Sequence, residues 1–127
     1  MVYNWAIRHP LSVACIAGIY PVVNLNSWPS PDQRAEVEIE YDNMSFEKLI
    51  AEYNPVDHLR ALAAGHVPLL NIHGSDDRTV YSLNEYTRLG GQADLITLRG
   101  PQHGHVRGDP LFFESTELLN FLVKYAQ

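Results

Sequence analysis

The stretch Val67-Pro68-Leu69-Leu70-Asn71-Ile72-His73 is a short, nearly unbroken apolar run without alternation of polar and apolar side chains. Such a run is typical of a strand covered on both faces, as in a parallel sheet. Ser12–Tyr20 has the same character, and Ala93–Leu98 predicts a third strand. Amphipathic segments separate these runs. The sequence therefore predicts an α/β domain with three adjacent parallel strands, at about 13–20, 67–73 and 93–98, flanked by helices on both faces.

Helices are predicted between the strands from capping residues and from apolar side chains at helical spacing. Pro21–Asp32 carries three prolines and is predicted to be a loop. Two helices are predicted over Val2–His9 and Ser82–Leu89, and a short helix that Asn54-Pro55 begins runs to about Ala64. Another helix is capped by Ser45 and has Phe46, Leu49, Ile50 and Tyr53 on its apolar face. A closing helix begins at about Ser115 and buries Leu118, Phe121, Leu122 and Tyr125.

Composition limits the classes of function. The chain has 127 residues, enough for one domain or part of one. Its formal net charge is −6 and no stripe of Lys and Arg occurs, so neither nucleic acid nor an anionic membrane surface is an expected partner. No apolar stretch approaches the roughly 20 residues that span a bilayer. No signal peptide is visible, so a cytoplasmic location is expected by default. The single Cys15 is expected to be buried and unreactive.

The loops after the second and third strands carry the residues with catalytic chemistry. The first of them is Gly74-Ser75-Asp76-Asp77, and the second is Arg99-Gly100-Pro101-Gln102-His103-Gly104-His105. Catalytic groups gather at the carboxyl ends of strands in such sheets, so a carboxylate and an imidazole are expected at one edge. These are two of the three parts of a nucleophile, base and acid triad.

Alternatives stay open from these residues alone. An aspartate at 76 or 77 could instead cap the next helix, and His105 competes with His103 as the base. A zinc site formed by Asp77, His103 and His105 is chemically possible, but no second His pair or Cys supports it.

The nucleophile of such a triad is missing from the chain. No Gly-x-Ser-x-Gly turn occurs in the sequence. Ser12, Ser75 and Cys15 are poorly placed for the role, and His73 is expected to be a core residue at a strand end.

The order and spacing of several motifs together resemble the carboxyl-terminal half of an α/β-hydrolase-fold serine hydrolase, of the esterase and prolyl-oligopeptidase-like kind. The segments that carry the resemblance are Asn4-Trp5-Ala6 with Pro10, Val13–Pro21, Asn54-Pro55-Val56-Asp57, Val67–Gly74 with Asp77 and Val80, Gly100-Pro101-Gln102-His103-Gly104, and Phe112–Phe121. The resemblance covers nearly the whole chain. It implies that residues 1–127 are the carboxyl-terminal portion of a truncated or split α/β-hydrolase domain.

The resemblance also assigns roles. It implies that Asp77 is the triad acid and His103 the base in the hydrolysis of an ester or peptide-like bond, with no cofactor and no metal, and with a serine supplied from outside this chain. An N-terminal half, or a second copy bound through an exposed sheet edge, is then an expected partner. The alternative is a catalytically inactive remnant or a partner-binding fragment.

Overall fold

Three parallel strands form the sheet of the computed structural model, which describes residues 2–74, 80–98 and 115–126. They are β1 (Ile16–Ile19), β2 (Leu69–Gly74) and β3 (Ala93–Leu98), in the order β1-β2-β3. The register pairs Ile19 with Ile72 and Thr97 with His73. The predicted α/β class and the three adjacent parallel strands are confirmed.

Six helices lie in the described part of the chain, together with three short 3₁₀ turns. The helices are α1 (Val2–Arg8), α2 (Arg34–Glu40), α3 (Phe46–Tyr53), α4 (Leu59–Ala64), α5 (Val80–Arg88) and α6 (Thr116–Tyr125). The 3₁₀ turns are Pro10–Ser12, Pro31–Gln33 and Pro55–His58. No helix in these ranges has the length and apolar character of a bilayer span.

The first strand is shorter than the predicted 13–20. A 3₁₀ turn over Pro10–Ser12 delays the strand, and it begins only where the Ile16 amide donates to the Pro68 carbonyl at 2.9 Å. Cys15 therefore lies outside the strand and is half-buried, not buried as expected. Partial burial still raises the pKa of its thiol.

Helix α2 is absent from the sequence-based prediction. Its residues Arg-Ala-Glu-Val-Glu-Ile-Glu alternate with a period of two, which hides a helical pattern, and Ile39 is 64% exposed. The 3₁₀ turn Pro31–Gln33 leads into the helix and begins inside the predicted loop, where the Ser30 amide donates to Oε1 of Gln33 at 3.3 Å. Glu38 also accepts a hydrogen bond from the Phe46 amide at 2.6 Å, which joins α2 to the start of α3.

The main core lies on one face of the sheet. Leu69 of β2 and Ile16 of β1 point to that face and pack with side chains from α1, α4 and α5. Leu70 and Ile72 point to the opposite face and are also buried, at 2% and 1% exposure. The centre of the sheet is thus covered on both sides, as the apolar run of β2 predicts.

A smaller cluster joins α2 and α3. Leu25, Phe46 and Leu49 are its buried members. Ser45 caps α3 as predicted, since its hydroxyl accepts from the Lys48 amide. The cluster places the acidic helix α2 beside the loop that follows β1.

Two details differ from the prediction. Leu122 of α6 is exposed, because the buried side of that helix follows Phe121 and Tyr125, whose ring centroids lie 5.0 Å apart with the rings tilted by 58°. The Asn54 side chain was expected to cap the following helix. It is instead an anchor for the loop after β1, accepting from the Leu25 amide at 2.8 Å and donating to Asp57 at 2.6 Å.

Candidate functional site

The two predicted catalytic residues follow neighbouring strands. Asp77 comes three residues after β2 ends, and His103 comes five residues after β3 ends. Both lie outside the described residues, as do their alternatives Asp76 and His105 and the candidate nucleophile Ser75. Their roles therefore stay predictions, and the described part of the site is the strand ends that precede them.

The ends of β2 and β3 are tied by a side-chain hydrogen bond. His73 and Thr97 are register partners, and Nε2 of His73 lies 2.9 Å from Oγ1 of Thr97. His73 is only 2% exposed. Because the strands are parallel neighbours, their carboxyl ends meet at the same edge of the sheet. The segments that carry Asp77 and His103 leave from adjacent points.

His73 is only partly satisfied as a core residue. Its Nδ1 is buried and has no hydrogen-bond partner among the described residues. The threonine hydroxyl can donate or accept, so this contact is compatible with either neutral tautomer of the imidazole. The sequence predicted a core histidine, and the structure confirms its burial but leaves one ring nitrogen available.

Asn71 extends this polar character along β2. It lies two residues before His73, on the same face of the sheet, and is fully buried. The Tyr3 hydroxyl of α1 donates to Oδ1 of Asn71 at 3.0 Å, while Nδ2 has no partner in the described structure. Burial of Tyr3 raises the pKa of its phenol well above the ordinary value.

Asn71 and Tyr3 were not identified as a pair from the sequence. A polar amide inside the run Val67–His73 was the available signal, because buried polar groups almost always find hydrogen-bond partners. Together with His73 they form a polar row that runs along one face of β2 to its carboxyl end. Two atoms of this row keep free hydrogen-bonding capacity: Asn71 Nδ2 can donate two hydrogen bonds, and His73 Nδ1 can make one.

The candidate nucleophiles in the described part of the chain have no activating base. Ser12 is exposed at the end of a 3₁₀ turn rather than opening a strand as predicted. Cys15 has a raised thiol pKa, which lowers the thiolate fraction that a nucleophile needs. Within these same residues, no cluster of three or more His, Cys, Asp or Glu side chains could hold a metal ion.

Comparison with known proteins yields no assignment: no protein-family model, no curated protein and no solved structure matches the chain significantly.

Proposed function

We propose that this chain is the acid-and-histidine half of a serine hydrolase of the α/β-hydrolase type, acting on an ester or peptide-like bond. The observation that carries the proposal is the parallel pairing of β2 with β3, with His73 opposite Thr97 at their carboxyl ends. This pairing gives the Asp77 and His103 segments a common starting edge. Their sequence order, acid after one strand and histidine after the next, is the order that the resemblance implies.

In this proposal Asp77 accepts a hydrogen bond from one imidazole nitrogen of His103. That contact fixes the imidazole tautomer and stabilises the imidazolium that forms when the ring takes a proton. The other ring nitrogen then acts as general base toward a serine hydroxyl supplied from outside residues 1–127. The nucleophile and the oxyanion donors belong to the same external part, so the chain by itself is expected to be inactive.

The pairing of acid and base is tested directly by NMR. An imidazole N–H that donates to a carboxylate gives a downfield proton resonance. We expect one such resonance from His103 that disappears in both Asp77→Asn and His103→Gln. Asp76→Asn and His105→Gln are the matched controls, and the resonance should persist in both. Its persistence in Asp77→Asn, or its loss in His105→Gln, would overturn the assignment of the pair.

The absence of a nucleophile is tested by activity. The purified chain should hydrolyse an activated short-chain ester no faster than its His103→Ala variant, and a serine-directed fluorophosphonate should not label it. Turnover that His103→Ala abolishes, together with labelling of Ser12 or Ser75, would show a complete triad within the chain and would contradict the half-enzyme proposal.

A further inference from the structure

One edge of the sheet presents unpaired backbone groups beside an apolar groove. The amides of Ile16 and Tyr20 donate to Pro68 and Ile72, so the even-numbered residues of β1 face β2. Alternate residues of a strand point their backbone groups to opposite sides. The N–H and C=O groups of Ala17 and Ile19 therefore face away from β2, at an edge where the described sheet has no further strand.

Two grooves follow this free edge. One, of about 570 Å³, runs beside Ile16–Ile19 and is lined mainly by apolar side chains, including Val22 and Trp28. The other, of about 730 Å³, continues along Ser12–Ile16 beside Trp5 of α1. Ile19, Val22 and Trp28 are 37%, 39% and 43% exposed. Apolar surface thus accompanies the free edge of β1 along its whole length.

The opposite edge of the described sheet differs in charge. β3 exposes Leu95 but also Asp94, and a charged side chain on an edge strand discourages strand addition. β1 has no charged residue at all. Within the described residues, β1 therefore differs from β3 in that apolar grooves follow its free edge and the strand carries no charge.

The charge at the groove indicates what it binds. Glu36 and Glu40 of α2 line the groove beside Ile16–Ile19, and none of the described residues that line it is basic. Residues 32–42 contain five acidic side chains and one basic side chain. A second copy of this chain, with its own net charge of −6, would bring these carboxylates together about a two-fold axis. An apolar segment with a basic side chain would instead complement them.

We propose that the free edge of β1 is a docking site for an extended, apolar segment of another polypeptide that carries a basic side chain and adds to the sheet as a fourth strand. Its main-chain groups pair with Ala17 and Ile19, its apolar side chains enter the groove, and its basic side chain meets Glu36 and Glu40. The proposal is independent of Asp77 and His103.

The test uses a blocked nonapeptide of alternating valine and threonine in which two threonines are replaced by lysine. We expect the labelled peptide to bind by fluorescence anisotropy and to slow amide exchange at Ala17 and Ile19 in the unmodified protein. A matched peptide with glutamate in place of lysine should bind at least tenfold more weakly. The double variant Glu36→Lys/Glu40→Lys should reverse that preference, because the groove then carries the opposite charge.

Ala17→Pro tests the backbone contact, since proline removes an outward N–H without touching the bonds to β2. We expect it to weaken peptide binding at least tenfold, while Ala17→Val, which keeps the N–H, binds like the original chain. The exchange measurement on the unmodified protein decides the matter if the proline variant fails to fold. No protection at Ala17 and Ile19, equal binding of the two peptides, or self-association that Ala17→Pro abolishes would each overturn the proposal.

Discussion

The strands β1 and β2 are neighbours in register, yet they occupy very different environments. Ile72 of β2 and Ile19 of β1 pair across the sheet and point to the same face. Ile72 is 1% exposed, whereas Ile19 is 37% exposed. On the other face, Asn71 is buried beside Gly18, which has no side chain. One strand is thus surrounded on all sides, and the next is covered mainly on one.

This difference predicts that substitutions in β2 and substitutions on the outer side of β1 affect different properties of the protein. β2 is held by packing on two faces and by hydrogen bonds to both neighbouring strands, so its substitutions should act on folding. In the described part of the chain, β1 pairs with a strand on one side only, so changes on its other side are expected to act on the proposed binding. Changes that reach β2 through Gly18 are expected to behave like core changes.

The largest effect is expected from truncating the two paired isoleucines. Ile72→Ala removes a fully buried side chain and should lower the free energy of unfolding by about 2–5 kcal/mol. Ile19→Ala, the matched control one strand away, should cost less, about 1–2 kcal/mol, because over a third of Ile19 is already exposed. Urea denaturation of both variants measures the contrast. Equal losses would mean that the outer face of β1 is covered in solution.

A second, smaller effect is expected around Asn71. Tyr3→Phe removes the hydroxyl that donates to Oδ1 of Asn71 and should cost about 1–2 kcal/mol, because a buried acceptor loses its partner. Gly18→Ala should cost about 1–3 kcal/mol, since the added Cβ would lie 2.9 Å from Pro21 and 3.2 Å from Oδ1 of Asn71.

A double-mutant cycle makes this comparison sharper. Both changes act on the same Asn71 oxygen, so their effects should not be additive. Gly90→Ala is the control substitution, because Gly90 has open space around its Cβ position and a positive φ of 86°. Its cost is local backbone strain of about 1 kcal/mol, which should add independently to the cost of Tyr3→Phe. Additivity between Tyr3→Phe and Gly18→Ala would show that Asn71 does not couple β1 to α1.

Much of this fold follows from local sequence patterns. The unbroken run of β2 predicts a strand buried on two faces, and the caps at Ser45 and Ser115 fix the starts of α3 and α6. β1 could not be bounded from the sequence, because its apolar run continues through residues that a preceding 3₁₀ turn keeps out of the sheet. α2 could not be recognised either. It is held by Val37, which packs on the small cluster, and by the contact of Glu38 with Phe46, without a continuous apolar stripe.

The candidate site was less accessible to sequence reasoning than the fold. Topology predicted correctly that the segments after β2 and β3 begin side by side, because parallel neighbours end at one edge. The spacing of residues along the sequence does not show which buried side chains keep hydrogen-bonding atoms without a partner. The pairing of Tyr3 with Asn71 joins residues 68 positions apart, and it depends on how α1 packs against the sheet.

A pH-dependent effect concerns two tyrosines that lie against β2. Tyr86 is fully buried, with its hydroxyl donating to the Val67 carbonyl just before the strand, and burial raises its pKa to about 12. Burial also raises the pKa of Tyr3. A phenol that stays protonated in the folded chain ionises near pH 10 once unfolded. The unfolded state then binds fewer protons, so stability is fully present below pH 10 and falls as the pH rises from there.

For each tyrosine the fall is at most about 1.4 kcal/mol per pH unit between the unfolded and folded pKa values. Tyr86→Phe should remove one such contribution, so its free energy of unfolding should fall less steeply between pH 10 and 12 than that of the unmodified chain. At pH 7 the variant should be less stable, because the hydrogen bond to the Val67 carbonyl is lost. Urea unfolding at a series of pH values measures the slope, which separates the titration from the lost hydrogen bond. An unchanged slope would mean that the Tyr86 phenol reaches water in the folded state. The contrast between a tightly covered β2 and an open edge of β1 would then not hold at Tyr86.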